Sequence, residues 1–108
     1  MEKMRLTARK DGQWYEFATD DPYRWYRITE RQLCVLVSLG NDDLTIDRIA
    51  FDWPGLTNSA TRGRVSALEQ KGMVRRVRWD GQAWEYGLTL RGSVVLDLLG
   101  DDILEIEG

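Results

Sequence analysis

Residues 44–92 contain the feature that most restricts the fold, which is two helical segments followed directly by a pair of strands. Four apolar residues of the first segment recur at the spacing of one helix face: Ile46, Ile49, Ala50 and Trp53. Pro54-Gly55 ends that segment, and Thr57 or Asn58 can cap a longer helix. Gly72 suits the left-handed position that closes a helix. The pattern predicts helices over 46–52 and 58–71.

A β-hairpin is expected after the longer helix, because Asp80-Gly81 is a favoured pair for a two-residue turn. This turn sets three cross-strand pairs, namely Trp79 with Gln82, Val77 with Trp84, and Arg76 with Glu85. Arg76 would then face an acid across the hairpin, whereas Arg75 and Arg78 would not. We expect Trp79 to fold back onto the sheet; the alternatives are that it wedges into a groove or contacts a partner.

The first helix is predicted over 30–39, because Thr29 and Gln32 can form a capping box and Gly40 follows. Its apolar side chains cover two sides of the helix, so a second layer must cover it. Either the aromatic N-terminal segment or a second copy of the chain, in a homodimer, could supply that layer.

The two ends of the chain carry weaker signals. The N-terminal segment is strand-like, with a tight turn at Asp11-Gly12. Thr89 can cap a last helix over 91–99, which Gly100-Asp101-Asp102 should end. The predicted division is a strand or hairpin extension over 1–28, a winged helix-turn-helix over 29–100 and an acidic tail over 101–108. The predicted fold class is α+β, with the N-terminal β-hairpin as an addition to the winged helix.

Composition excludes several classes of function. The chain of 108 residues suffices for one modest core, and its longest apolar run, Leu33–Val37, is far below the roughly 20 residues of a membrane helix. Histidine is absent and Cys34 is the only cysteine, which argues against a zinc site or a Cys–His nucleophile. Acidic pairs lie beside turns, with no nucleophile or phosphate-binding loop nearby. We expect a cytoplasmic protein with no enzyme activity, metal, cofactor or membrane partner.

The charge is distributed unevenly along the chain. The net charge is −3, but residues 57–92 contain seven basic and three acidic side chains, a net charge of +4. The remainder therefore carries −7, and the last 16 residues contain five acids and no base. Such an asymmetry is typical of a protein that binds a polyanion with one face, although it also occurs on ordinary solvated surfaces.

The outer face of the helix over 58–71 carries only small residues. A helical wheel places Thr61, Val65 and Leu68 on the core side. The opposite side presents Ser59, Ala60, Gly63, Ser66 and Ala67, with Arg62 and Arg64 on its two edges. A glycine in mid-helix costs about 1 kcal/mol relative to alanine, so close approach to another surface is its best explanation. A slim helix can enter a major groove while arginines reach phosphates or guanine edges. The alternatives are that this face contacts a protein, packs on the N-terminal segment of the same chain or is neutral surface.

Three stretches resemble winged-helix transcription regulators of the MarR and PadR kind: Thr29-Glu30-Arg31-Gln32-Leu33, Val65-x-x-Leu68-Glu69-x-Lys71-Gly72-Met73-Val74-Arg75-Arg76, and Leu88-Thr89-x-x-Gly92. The resemblance covers about residues 28–99. It implies recognition-helix positions at Ser59, Ala60, Arg62, Gly63 and Ser66, and wing positions at Arg75, Arg76 and Arg78. The chain departs from that family in its shortness, its N-terminal hairpin and its brief last helix, which suggests a phage or mobile-element origin.

Two classes of function remain open. The first is a transcriptional regulator that binds double-stranded DNA, with the helix over 58–71 in the major groove and the wing over 74–88 on the backbone. The second is a winged helix that binds protein instead, as a replication adaptor or a phage-encoded inhibitor of a host complex. The basic helix and wing favour the first, whereas the acidic balance and five tryptophans favour the second.

Overall fold

Four helices and two small antiparallel sheets make up the computed structural model, which describes residues 7–11, 14–20, 23–53 and 55–107. The elements along the chain are β1 (Thr7–Asp11), β2 (Trp14–Asp20), β3 (Tyr23–Thr29), α1 (Glu30–Leu39), β4 (Leu44–Thr45), α2 (Ile46–Asp52), α3 (Asn58–Gln70), β5 (Val74–Trp79), β6 (Trp84–Leu88) and α4 (Leu90–Glu107). The strand orders are β1-β2-β3 and β4-β6-β5. The predicted α+β winged helix-turn-helix is confirmed.

Threonine caps begin the first three helices. The Thr29 hydroxyl accepts the N–H of Gln32, whose side-chain oxygen accepts the N–H of Thr29, so the predicted capping box is confirmed. Thr45 and Thr57 cap α2 and α3 in the same way, by accepting an N–H three residues later. The predicted bounds of α1 and α2 are correct. Helix α3 ends one residue early, at Gln70, and Gly72 takes the expected left-handed conformation at φ +73°.

Helix α1 lies at the centre of the core. Its buried residues are Leu33, Val35, Leu36 and Leu39, and Cys34 is half-buried against the same core. The helix contacts α4 and α3. Gly40 ends α1 with an ordinary right-handed conformation, and a Cβ there would lie 2.7 Å from the Leu96 side chain of α4. Helices of the same chain therefore supply most of the second layer, and covering α1 does not need a second copy.

The register of the wing hairpin differs from the prediction. Trp79 pairs with Trp84, Arg78 with Glu85 and Arg76 with Tyr86, and an irregularity at Val77 shifts the ladder. The loop is longer than two residues because the Asp80 carboxylate accepts the N–H groups of both Gln82 and Ala83. Directly paired residues share a face of a hairpin. Arg76 therefore lies on the face of the two tryptophans, and Arg78 lies opposite Glu85; the predicted Arg76–Glu85 pair is wrong.

Both ends of the chain depart from expectation. A third strand, β3, extends the N-terminal hairpin into a meander. Asp11 pairs with Trp14, and the predicted turn at Asp11-Gly12 falls partly on residues 12–13, which lie outside the described residues. Helix α4 begins at the Thr89 cap as predicted but continues to Glu107. The expectation that Gly100-Asp101-Asp102 ends this helix is wrong, because glycine weakens a helix by only about 1 kcal/mol and does not forbid it.

Among the described residues, no helix combines the length and apolar character that crossing a membrane requires.

Candidate nucleic-acid interface

The outer face of α3 is open, as the helical wheel predicts. Thr61, Val65 and Leu68 are buried against the core. The exposed residues of this helix include Ser59, Ala60, Arg62, Gly63 and Ser66, whereas Ala67 is half-buried. A Cβ added at Gly63 would meet no atom within 4 Å. Nothing within the described part of the fold therefore requires glycine at this position.

The two arginines at the edges of α3 have different surroundings. Arg62 is exposed and has no hydrogen-bonding or acidic partner among the described residues. Arg64 is half-buried, and its Nη1 atom is buried without a hydrogen-bond partner. Desolvation, together with the nearby charge of Arg31, lowers the pKa of Arg64. Arg62 is thus the arginine of α3 that is most available to an external anion.

The three wing arginines differ in whether a carboxylate of the same chain already binds them. The Arg78 guanidinium binds both carboxylate oxygens of Glu85, at 3.0 and 2.8 Å, and this interaction raises its pKa. Arg76 lies 3.5 Å from the Glu69 carboxylate and places its guanidinium 5.5 Å from the centre of the Trp84 ring. Arg75 is exposed and has no acidic partner in the described part of the chain. The expectation that Arg78 lacks a cross-strand acid is wrong.

A groove separates the wing from α3. It has a volume of about 380 Å³ and is lined by Ile46, Asp47, Arg62, Trp79, Gln82, Ala83, Trp84 and Tyr86. Trp79 and Trp84 meet edge to face, with ring centres 5.7 Å apart and planes at 68°. Trp79 is 52% exposed, so it folds only partly onto the sheet. The sequence did not predict this groove. The one feature that indicates it is the pair of tryptophans that flank the wing loop.

A polar joint fixes the C-terminal end of α3. The Lys71 ammonium donates to the Arg27 carbonyl of β3 in the N-terminal sheet, and burial lowers the pKa of Lys71. The Lys71 carbonyl accepts from Arg91 of α4. The carbonyls of Gly72 and Met73 accept from the hydroxyl and the N–H of Thr89. These bonds hold α3, the N-terminal sheet and α4 in one arrangement.

Several solved structures with a similar fold are transcription regulators. The sequence matches no protein-family model and no curated protein. PcaV from Streptomyces coelicolor, solved with its natural ligand, is 29% identical over 74% of this chain, with a TM-score of 0.65. MepR, which regulates the multidrug efflux pump MepA of Staphylococcus aureus, is 25% identical over 74%, with a TM-score of 0.62. A MarR/EmrR family regulator from Acinetobacter is 23% identical over 74%, with a TM-score of 0.64.

The chain has the winged helix-turn-helix fold of the MarR-type regulators. It spans 58% of PcaV, 61% of MepR and 58% of the Acinetobacter protein. Nothing in these likenesses supports the phage origin suggested by the short chain.

Proposed function

We propose that this MarR-like chain is a transcriptional regulator that binds double-stranded DNA, with α3 in the major groove and the wing over 74–88 along the backbone. The observation that carries the proposal is the outer face of α3, where small exposed side chains surround Gly63 and Arg62 has no partner among the described residues. A helix with so slim a face can approach base edges closely. Arg62 can then bind a guanine edge or a phosphate.

The proposed contact residues divide into two groups. On α3 they are Ser59, Ala60, Arg62, Gly63 and Ser66, with Arg64 as a peripheral member because it is half-buried. On the wing they are Arg75, Arg76 and Arg78, of which Arg75 has no competing carboxylate among the described residues. The net charge of +4 over residues 57–92 supports a polyanionic partner for this region.

The structural neighbours support a regulator over the other classes of function. PcaV and MepR are transcription regulators rather than enzymes, which supports a role without catalysis. They give no support to a replication adaptor or to an inhibitor of a host complex. A homodimer through α1 and the N-terminal segment stays a proposal, and because the core residues of α1 are buried within one chain, its interface would use other surfaces of these two segments.

A salt titration of binding to mixed-sequence duplex DNA tests the proposal. Binding should weaken linearly on a plot of log K against log salt, because each phosphate contact releases counterions. Each phosphate contact adds roughly −0.9 to the slope of log K against log salt. Three or more arginine contacts should therefore give a slope steeper than about −2. Absence of binding at low salt would refute DNA as the partner.

A further inference from the structure

The groove between the wing and α3 exposes aromatic surface beside a cationic side chain. Trp79 is 52% exposed and Trp84 is 37% exposed, on the face of the wing that looks toward α3. Arg62 lines the opposite wall. An exposed tryptophan pair at a loop tip costs solvation free energy unless another surface covers it. The groove therefore suits a ligand with apolar faces and a negative charge.

One carboxylate also lines the groove. Asp47 keeps its negative charge there, and its Oδ1 accepts a hydrogen bond from the side-chain amide of Asn58 at the start of α3, which holds the carboxylate toward that helix. Arg62, in contrast, has no partner among the described residues, so its charge remains open to a phosphate. The sugar–phosphate strand of DNA combines phosphate anions with deoxyribose rings that are apolar on their faces. The deoxyribose rings suit the wall formed by the two tryptophans, and the phosphates suit the wall that carries Arg62.

The two tryptophans are also held in place. Trp79 packs edge to face on Trp84, and the Arg76 guanidinium lies over the Trp84 ring while its charge approaches Glu69. A rigid aromatic pair loses little conformational freedom when it binds. Arg76 thus supports Trp84 as well as carrying charge, a role that the sequence did not suggest.

We propose that this groove receives the DNA strand that separates the major groove from the neighbouring minor groove, with Trp79 and Trp84 packed on its deoxyribose rings and Arg62 on a phosphate. The inference rests on the proposed function, because α3 must occupy the major groove for that strand to pass between α3 and the wing. The wing then contributes apolar contact at its tip in addition to charge. Aromatic and apolar side chains elsewhere contact nucleic acid by stacking on bases or inserting between base steps, and packing on a deoxyribose ring buries apolar surface in the same sense.

Replacing Trp79 by alanine separates apolar contact from charge. Trp79→Ala should weaken binding to duplex DNA by about tenfold at every salt concentration, a loss typical of aromatic side chains that pack on nucleic acid. The salt slope should stay unchanged, because an apolar contact releases no counterions. Fluorescence anisotropy of a labelled duplex measures both quantities, and circular dichroism confirms that the variant is folded. Trp79→Phe should restore part of the affinity.

Phe51→Ala is the matched control. Phe51 is 82% exposed on α2 and does not line the groove, so its removal should leave affinity and slope unchanged. Equal affinities of the wild type and Trp79→Ala would overturn the inference while leaving the proposed function intact. A change in self-association by Trp79→Ala, with DNA binding unaltered, would instead make the groove a protein contact. Failure of the wild type to bind duplex DNA would remove the proposed function itself.

Discussion

Replacing Gly63 should raise stability and lower DNA affinity at the same time. Gly63 lies in the interior of α3, is exposed, and has no atom within 4 Å of an added Cβ. Alanine at such a helical site is favoured over glycine by about 0.8–1 kcal/mol. For a domain of this size, a gain of that order raises Tm by roughly 4 °C.

The effect on binding should have the opposite sign. If α3 docks closely through this face, a leucine at position 63 must displace the DNA or tilt the helix. Overfilling a packed contact costs about 1–3 kcal/mol, which is roughly a 5- to 150-fold loss of affinity. Gly63→Ala should show a smaller loss than Gly63→Leu, because a methyl group is shorter. A variant that is more stable than the wild type yet binds less cannot owe its defect to unfolding.

Thermal melts and anisotropy titrations of the same samples would measure both changes. Gly92→Ala is the stability control, since a Cβ at Gly92 would overlap the Met73 carbonyl oxygen and lie 3.0 Å from its carbon. That clash involves backbone, so Gly92→Ala should destabilise by about 1–3 kcal/mol. If Gly63→Leu remains folded and binds DNA as tightly as the wild type, close docking of this face of α3 is wrong.

Substitutions at four other residues test individual contacts. Arg62→Ala should weaken binding to all duplexes and flatten the salt slope by about one unit if Arg62 binds the phosphate of the strand in the groove, whereas a bidentate base contact would instead cost about 1–3 kcal/mol of specific binding, as competition between cognate and random duplexes would reveal. Arg75→Ala should weaken binding to all sequences and flatten the salt slope by about one unit, with a smaller change for Arg78→Ala because Glu85 already binds that guanidinium. Asp80→Ala should speed hydrogen exchange at the two amides that Asp80 binds, and Asp80→Asn, which keeps a neutral acceptor oxygen, should lose less of the protection. These bonds lower the pKa of Asp80, so in the wild type the full protection should hold above pH about 3.9 and weaken only as the pH falls through the lowered pKa.

Local signals predicted most of the fold. The Thr29–Gln32 capping box and the left-handed Gly72 depend on a few neighbouring residues, and both were predictable. The core face of α3 follows from helical periodicity alone, and Thr61, Val65 and Leu68 are buried as predicted. The exposed positions of Arg62 and Gly63 follow from the same periodicity.

The errors arose where two local choices had similar free energies. Asp80-Gly81 suits a two-residue turn, but the Asp80 side chain stabilises a longer loop, and the register of Arg76 and Arg78 shifts with it. The predicted end of α4 was also wrong, because Gly100 and the two aspartates after it disfavour a helix without preventing one. The groove required tertiary structure, since Arg62 and the wing tryptophans are brought together only when the hairpin folds back toward α3.

Because of the polar joint at its C-terminal end, the orientation of α3 does not depend on which side chains its exposed face carries. Alignment depends on the Lys71 ammonium and on the backbone carbonyls of Lys71, Gly72 and Met73. Backbone acceptors do not change when side chains elsewhere on the helix are exchanged. The outer positions from Ser59 to Ser66 can therefore vary without loss of the joint. A library randomised at those positions would keep one scaffold geometry, which makes this chain a suitable starting point for engineering new binding specificities.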